Sequence, residues 1–289
     1  MSLLKVLVLA IVQGFAELLP VSSSAHVVVA EKLLGLDPSS PPLTLLLVML
    51  HTGTMFAVIV YFWPQWRRTY FQSAAAFRSF AALVVIATAC TAVIGEGIVK
   101  VIERTVLRDV PHAEIEDLFS HLEFIAPALA AAGVLILIAG LFGNRHPAPA
   151  LSAANDLNAK RAALIGAVQG LCLPFRGFSR SGATISAGML LGVAKSRAEA
   201  FSFALAVVLT PPVVAREALR LLRDARLHGS ADLASVGLVS VLGAVIAFLA
   251  GLLALKWLSR WLEGGRWYFF GIYCLAAAAA VALLQRAGY

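Results

Sequence analysis

The chain has 289 residues, 60% of them hydrophobic and only 13% charged, with a mean hydropathy of +0.87, and no soluble domain needs that much apolar surface for one core. Its net charge of +7 is carried by cations scattered in short groups between apolar runs, as in a polytopic protein touching anionic lipid, and not by the basic stripe of a nucleic-acid binder. Cys90, Cys172 and Cys274 lie inside apolar runs and offer neither a disulfide framework nor metal-ligand spacing.

The N-terminal "MSLLKVLVLAIVQG" holds one lysine and an apolar stretch but no small-x-small cleavage site follows it, so it is expected to stay in the mature protein. Leu3 to Leu19 is too short to span and ends in the polar run "QGFAELLPVSSSAH" (Gln13 to His26), after which a second short apolar piece runs from Val27 to Leu36. Three stretches near the spanning length of about 20 residues follow: Leu43 to Trp63, Phe77 to Gly95 and Glu123 to Phe142. Ala162 to Phe175 then repeats the short pattern, with a polar break and a second piece from Ile185 to Val193. Ala198 to Leu219, Leu233 to Trp257 and Trp267 to Leu284 complete the spans. Helix, polar break, helix on this scale reads as a re-entrant hairpin, permitted at membrane depth only where irregular backbone is buried in protein or lines a cavity. The expected fold is an all-α membrane protein with six transmembrane helices and two re-entrant helical hairpins.

The two hairpins resemble each other. "VQGFAELLPVSSSAHVVVAEKLLG" from Val12 and "VQGLCLPFRGFSRSGATISAGMLLG" from Val168 share VQG, a proline, a Ser-x-Ser and LLG, and one insertion aligns both ends. Three spans separate them, and an odd number of crossings inverts the second half, which predicts an inverted-topology repeat with both hairpin tips near the midplane. The chain is thus expected to form one integral membrane domain over 1–289, with halves of roughly 1–142 and 162–289. The cations divide almost evenly between the two sides. The acidic segment Glu114 to Glu123 opposes the loop carrying Arg67 and Arg68, which favours that loop as cytoplasmic and a site opening to the non-cytoplasmic side.

Glu17, His26 and Arg180 each cost about 2.5–3.5 kcal/mol at the centre of a membrane when charged, so an intramembrane ionisable residue is a functional hypothesis by default. Their types suit phosphate chemistry. Arg180 offers a planar fork for phosphoryl oxygens. Ser179, Ser181 and Thr184 offer hydroxyls in a turn that Gly177 and Gly182 make permissive. A helix beginning after "SRSGA" would aim its free N–H groups at an anion. Glu17 can hold a divalent cation or act as a base, and His26 can move a proton near neutral pH. "SSSAH" also reads as a helix cap, His51 as a packing or hydrogen-bonded residue, and Arg176 equally as a second phosphate contact or a snorkelling side chain.

These residues carry a resemblance. "QGFAELLPVSSSAH" and "RGFSRSGATIS" resemble the two signature motifs of the undecaprenyl-diphosphate phosphatase family, the bacterial lipid phosphatases linked to bacitracin resistance; "LHTGTMFAVIVYFW" and "FSFALAV" also resemble stretches of that family. The resemblance implies a multi-pass protein of the bacterial inner membrane that hydrolyses undecaprenyl diphosphate to the monophosphate carrier used in cell-wall and surface-glycan synthesis. Carried over by position, it implies catalytic roles for Glu17, Ser23, His26 and Arg180. It implies phosphate binding by Ser22, Ser179, Arg180, Ser181, Gly182 and Thr184, and a divalent cation, magnesium first, on Glu17 and Gln13. Gln13 fills a place that is often Glu, Arg176 stands where the motif has Pro, and Val208 also replaces a Pro of the family pattern. The expected partners are a prenyl diphosphate and membrane lipid, with no nucleic acid; a homodimer is compatible with this.

Two functions compete. Inverted repeats with broken helices at the midplane are also a transporter architecture, so a transporter or flippase of a prenyl phosphate or other anion is the alternative. Glu17, His26 and the hydroxyls together supply more acid, base and nucleophile than binding requires, which favours the phosphatase. Either Ser23 attacks with His26 as proton acceptor, or water attacks and His26 is acid or base.

Overall fold

The computed structural model describes residues 2–37, 40–105, 122–143, 157–228 and 233–287, and every regular element among them is an α-helix. Four helices are short: α1 (Leu3–Leu18), α2 (Ser23–Leu33), α6 (Ala159–Cys172) and α7 (Arg180–Leu190). Six are long and apolar enough to cross a membrane: α3 (Pro41–Thr69), α4 (Ala74–Thr105), α5 (Leu122–Phe142), α8 (Lys195–His228), α9 (Leu233–Glu263) and α10 (Tyr268–Arg286). At about 1.5 Å of rise per residue, neither α1 nor α2 reaches across a hydrocarbon core of about 30 Å. Most of the acidic run used above for orientation lies outside the described residues.

The short helices stop and start for local reasons. Leu19 precedes Pro20 and is extended (φ −76°, ψ 152°), so α1 ends there. α2 begins at Ser23, because the Ser22 hydroxyl accepts from the Ala25 amide at 3.4 Å; α7 begins at Arg180, because the Ser179 hydroxyl accepts from Gly182 at 3.2 Å. The second apolar pieces begin at Val27 and Ile185 in the sequence, with "SSSAH" also readable as a helix cap. The capping serines start both earlier, so the polar motifs become first turns and not loops.

Packing rests on small residues, since lipid offers helices no hydrophobic drive to associate and close backbone approach must supply it. α1 lies on α9, where a Cβ at Gly14 would come within 2.8 Å of the Ala247 carbonyl. α6 lies on α4, where a Cβ at Gly170 would come within 2.8 Å of the Thr91 carbonyl and one at Gly166 would strike the Ala87 backbone. Val6, Leu9, Leu46, Leu50 and Ala247 fill the space among α1, α3 and α9. Val84, Ala87, Ile165, Phe201 and Leu205 fill that among α4, α6 and α8. The largest apolar cluster, including Leu129, Ile136, Ile185, Leu255 and Trp267, joins both halves of the chain. This arrangement brings the end of α1 and the beginnings of α2 and α7 to one place.

Candidate active site

Glu17 sits in the last turn of α1, its side chain 14% exposed, and is the hub of the site. Its Oε1 accepts from Arg180 Nη2 at 2.7 Å, and its Oε2 accepts from the Ser23 hydroxyl at 2.6 Å and from Gln13 Nε2 at 3.2 Å. One carboxylate therefore joins the C-terminus of α1 to the N-termini of α2 and α7. The short pairs are also bonded directly: Gly177 N donates to the Ser24 hydroxyl at 3.3 Å, and the Ser181 hydroxyl donates to the Leu19 carbonyl at 3.4 Å. Gly177 has φ 102°, and a Cβ there would strike the Ile125 carbonyl, so that turn requires glycine.

A cavity of about 230 Å³ opens over this junction. Its walls include Glu17, the serines Ser22, Ser23, Ser24, Ser179 and Ser181, and the guanidinium-bearing Arg176 and Arg180. Two helix N-termini, five hydroxyls and two guanidinium groups make an anion site. Cys172, Leu173, Phe175 and Phe178 line its apolar side. Glu31 of α2 is buried at 3% exposure, leaves Oε1 without a hydrogen-bond partner, and interacts electrostatically with Arg176.

The structure brings Glu17, Ser22, Ser23, Ser179, Arg180 and Ser181 together in the cavity walls. Gln13 is behind them, fully buried against Glu17. Gly182 and Thr184 are in the body of α7: a Cβ at Gly182 would crowd Ile136, and the Thr184 hydroxyl is engaged by the Arg180 carbonyl at 2.8 Å and by Ser202 at 2.6 Å. His26 is not among the lining residues; its Nδ1 is 2.8 Å from the Ser22 carbonyl and its Nε2 2.7 Å from the Tyr273 hydroxyl. Gln169, which matches Gln13 in the repeated motif, donates to Thr91 at 3.0 Å and braces α6 on α4.

Two further neighbours complete the surroundings: one reads from sequence as a packing or hydrogen-bonded residue, the other is not singled out there. His51 of α3 donates Nδ1–H to the Leu47 carbonyl at 2.8 Å and brings Nε2 to 3.8 Å from Glu17 Oε2. Tyr273 of α10 stacks on His26. A histidine and a tyrosine inside apolar spans were the available signals, but only tertiary packing shows what they touch.

The profile described as "Bacitracin resistance protein BacA" matches residues 6–280. The chain is 54% identical over 287 residues to "Undecaprenyl-diphosphatase 2" of Acinetobacter baylyi, covering 98% of both chains. It is 32% identical to "Undecaprenyl-diphosphatase" of Rhodopirellula baltica, again covering 98% of each, and 34% identical to that of Anaeromyxobacter sp. (strain Fw109-5), covering 98% of this chain and 88% of that one. With a family match over nearly its full length, and with six helices able to cross a membrane, this chain is a multi-pass membrane protein that belongs to the bacitracin resistance protein BacA family.

Proposed function

We propose that the chain hydrolyses undecaprenyl diphosphate to undecaprenyl phosphate, returning the lipid carrier to cell-wall and surface-glycan synthesis and so contributing to bacitracin resistance. The substrate follows the names of the relatives. The observation that carries the chemistry is the Ser23 hydroxyl donating to Glu17 at 2.6 Å while Arg180 holds the same carboxylate at 2.7 Å: a nucleophile, its base and an anion-binding fork share one point.

In this reading Arg180 and the amides at the starts of α2 and α7 hold the diphosphate, and Ser179, Ser181 and Ser22 orient it. Ser23 Oγ attacks the terminal phosphorus, its proton passes to Glu17, and the bond from that phosphorus to the bridging oxygen breaks, releasing prenyl phosphate. Water then displaces phosphate from Ser23, and Glu17 returns the proton to the serine oxygen. Such transfer is mostly positioning and charge stabilisation. Arg has five N–H donors, so one bond to Glu17 leaves others for phosphoryl oxygens.

Among the described residues no group of three or more His, Cys, Asp or Glu side chains is arranged to hold a metal ion. The donors present suit a divalent cation, magnesium first, shared with substrate oxygens: Glu17 supplies one carboxylate, and Gln13, four residues earlier on the same helix, has a buried Oε1 without a partner. Bound there, the ion would neutralise phosphoryl charge.

The finer architecture belongs to the same proposal. Each short pair, α1–α2 and α6–α7, is a re-entrant hairpin in one integral membrane domain, and the halves are an inverted repeat. The two smaller apolar clusters support this, because α1, α3 and α9 correspond in repeat order to α6, α8 and α4. The protein resides in the bacterial inner membrane with its cavity toward the non-cytoplasmic side. The deciding experiment is phosphate release from a prenyl diphosphate by purified protein in detergent, with Glu17→Gln as control. Activity in the wild type and a phosphoenzyme trapped on Ser23 are the expected results, and a silent wild type would sink the reading.

A further inference from the structure

Ser22 has φ 70° and ψ 95°, and among the described residues it is the only non-glycine with a positive φ. A left-handed conformation at a residue bearing a Cβ persists only where its surroundings impose it. Ser22 is held through its hydroxyl by the Ala25 amide and Ser24, and through its carbonyl by His26. The Ser22 carbonyl accepts twice from that residue, from the backbone amide at 3.3 Å and from Nδ1 at 2.8 Å.

Because a carbonyl only accepts, Nδ1 carries a hydrogen, and in the neutral ring Nε2 is then an acceptor. The Tyr273 hydroxyl, 2.7 Å away, donates to it. The two rings lie nearly parallel, 13° apart with centroids at 5.7 Å, so the orientation of His26 is held as well as its tautomer. His26 is absent from the cavity walls, and the Ser23 hydroxyl donates to Glu17 and not to His26.

We infer that Tyr273 is a positioning residue: its hydroxyl and ring hold His26 so that Nδ1–H grips the Ser22 carbonyl, and the gripped Ser22–Ser23 peptide aims Ser23 Oγ at Glu17. This rests on reading Ser23 and Glu17 as the reacting pair. His26 then works on the backbone and moves no proton of the substrate. Tyr273 is on the last helix, 247 residues from His26, so α10 takes part in shaping a turn near the start of the chain.

The test compares Tyr273→Phe, which keeps the ring and removes the hydroxyl, with His26→Gln, whose amide can still donate to a carbonyl. Turnover of prenyl diphosphate is measured across pH, per molecule of folded protein recovered from gel filtration. A misaimed nucleophile lowers kcat by about tenfold to a hundredfold, so Tyr273→Phe should lose at least about tenfold in kcat with KM within about twofold. His26→Gln should keep more activity than His26→Ala and show the pH profile of the wild type. Wild-type kcat in Tyr273→Phe overturns the inference, as does a His26→Gln variant as inactive as Glu17→Gln or with a limb missing from its pH profile. If the wild type itself releases no phosphate, the reading of the site fails first; if it turns over and Glu17→Gln does not, only the positioning role is on trial.

Discussion

Glu17 and Arg180 stand 163 positions apart in sequence and 2.7 Å apart in space. Each is largely withdrawn from water, with side chains 14% and 23% exposed, so each is the other's main compensation for being charged there. Removing one partner of such a pair leaves an uncompensated buried charge. Glu17→Gln keeps the volume and can still accept from Ser23 but is no base. It should lower kcat by about a hundredfold or more, read as phosphate release in detergent, and should also lower the melting temperature, because Arg180 loses its counter-charge.

Arg180→Lys preserves the charge and discards the fork. A point charge cannot replace bidentate contacts to phosphoryl oxygens, so kcat/KM should drop at least about tenfold. Near-normal turnover by this variant would remove Arg180 from substrate binding.

Gln13 tests the cation. If its buried Oε1 helps to hold a divalent ion beside Glu17, Gln13→Glu should reach half-maximal turnover at a lower magnesium concentration than the wild type, because a second carboxylate strengthens a hard-cation site. An unchanged half-saturation in a well-folded variant leaves Gln13 as a brace for Glu17, as Gln169 is for Thr91.

Chain length of the substrate is the next lever. The cavity presents its polar walls at the junction of the short helices, and each buried methylene of a prenyl tail contributes about 0.8 kcal/mol. Catalytic efficiency should therefore rise steeply from inorganic pyrophosphate to long prenyl diphosphates. Equal efficiency on both would contradict a site that takes its substrate from lipid.

Helix contacts offer a test independent of activity. Gly14→Leu and Gly166→Leu place side chains where backbone already lies, against Ala247 and Ala87 respectively. Overpacking of this kind costs about 1–3 kcal/mol, and both variants should melt earlier in detergent. An unshifted melt would mean that α1 and α6 are not seated as described.

Much of this was legible in the sequence. All six spans were, because runs of about 20 apolar residues have few other uses. Glu17, Ser23 and Arg180 were legible because charges and hydroxyls stand out in such a background, and the structure joins them through one carboxylate. The cap in "SSSAH" was legible and starts α2 at Ser23; the start of α7 at Arg180 was not, since a serine followed by polar residues can end a loop or cap a helix. Thr184 shared a motif with Arg180, yet its hydroxyl turns back to the helix and to Ser202. His51 and Tyr273 come into play only through the packing of α3 and α10, which no local pattern encodes.

The separation of Glu17 from Arg180 also sets a clock. At a synthesis rate of roughly 5–20 residues per second, Glu17 is made about 8–33 s before its guanidinium partner. During that interval α1 has none of the cationic compensation that Arg180 later supplies, and Ser181 and Gly177, which bond the first pair of short helices to the second, do not yet exist. Until the second pair is made, the first lacks both the counter-charge and the hydrogen bonds that fix it in the folded protein. Assembly of this junction is a late event in the birth of the chain.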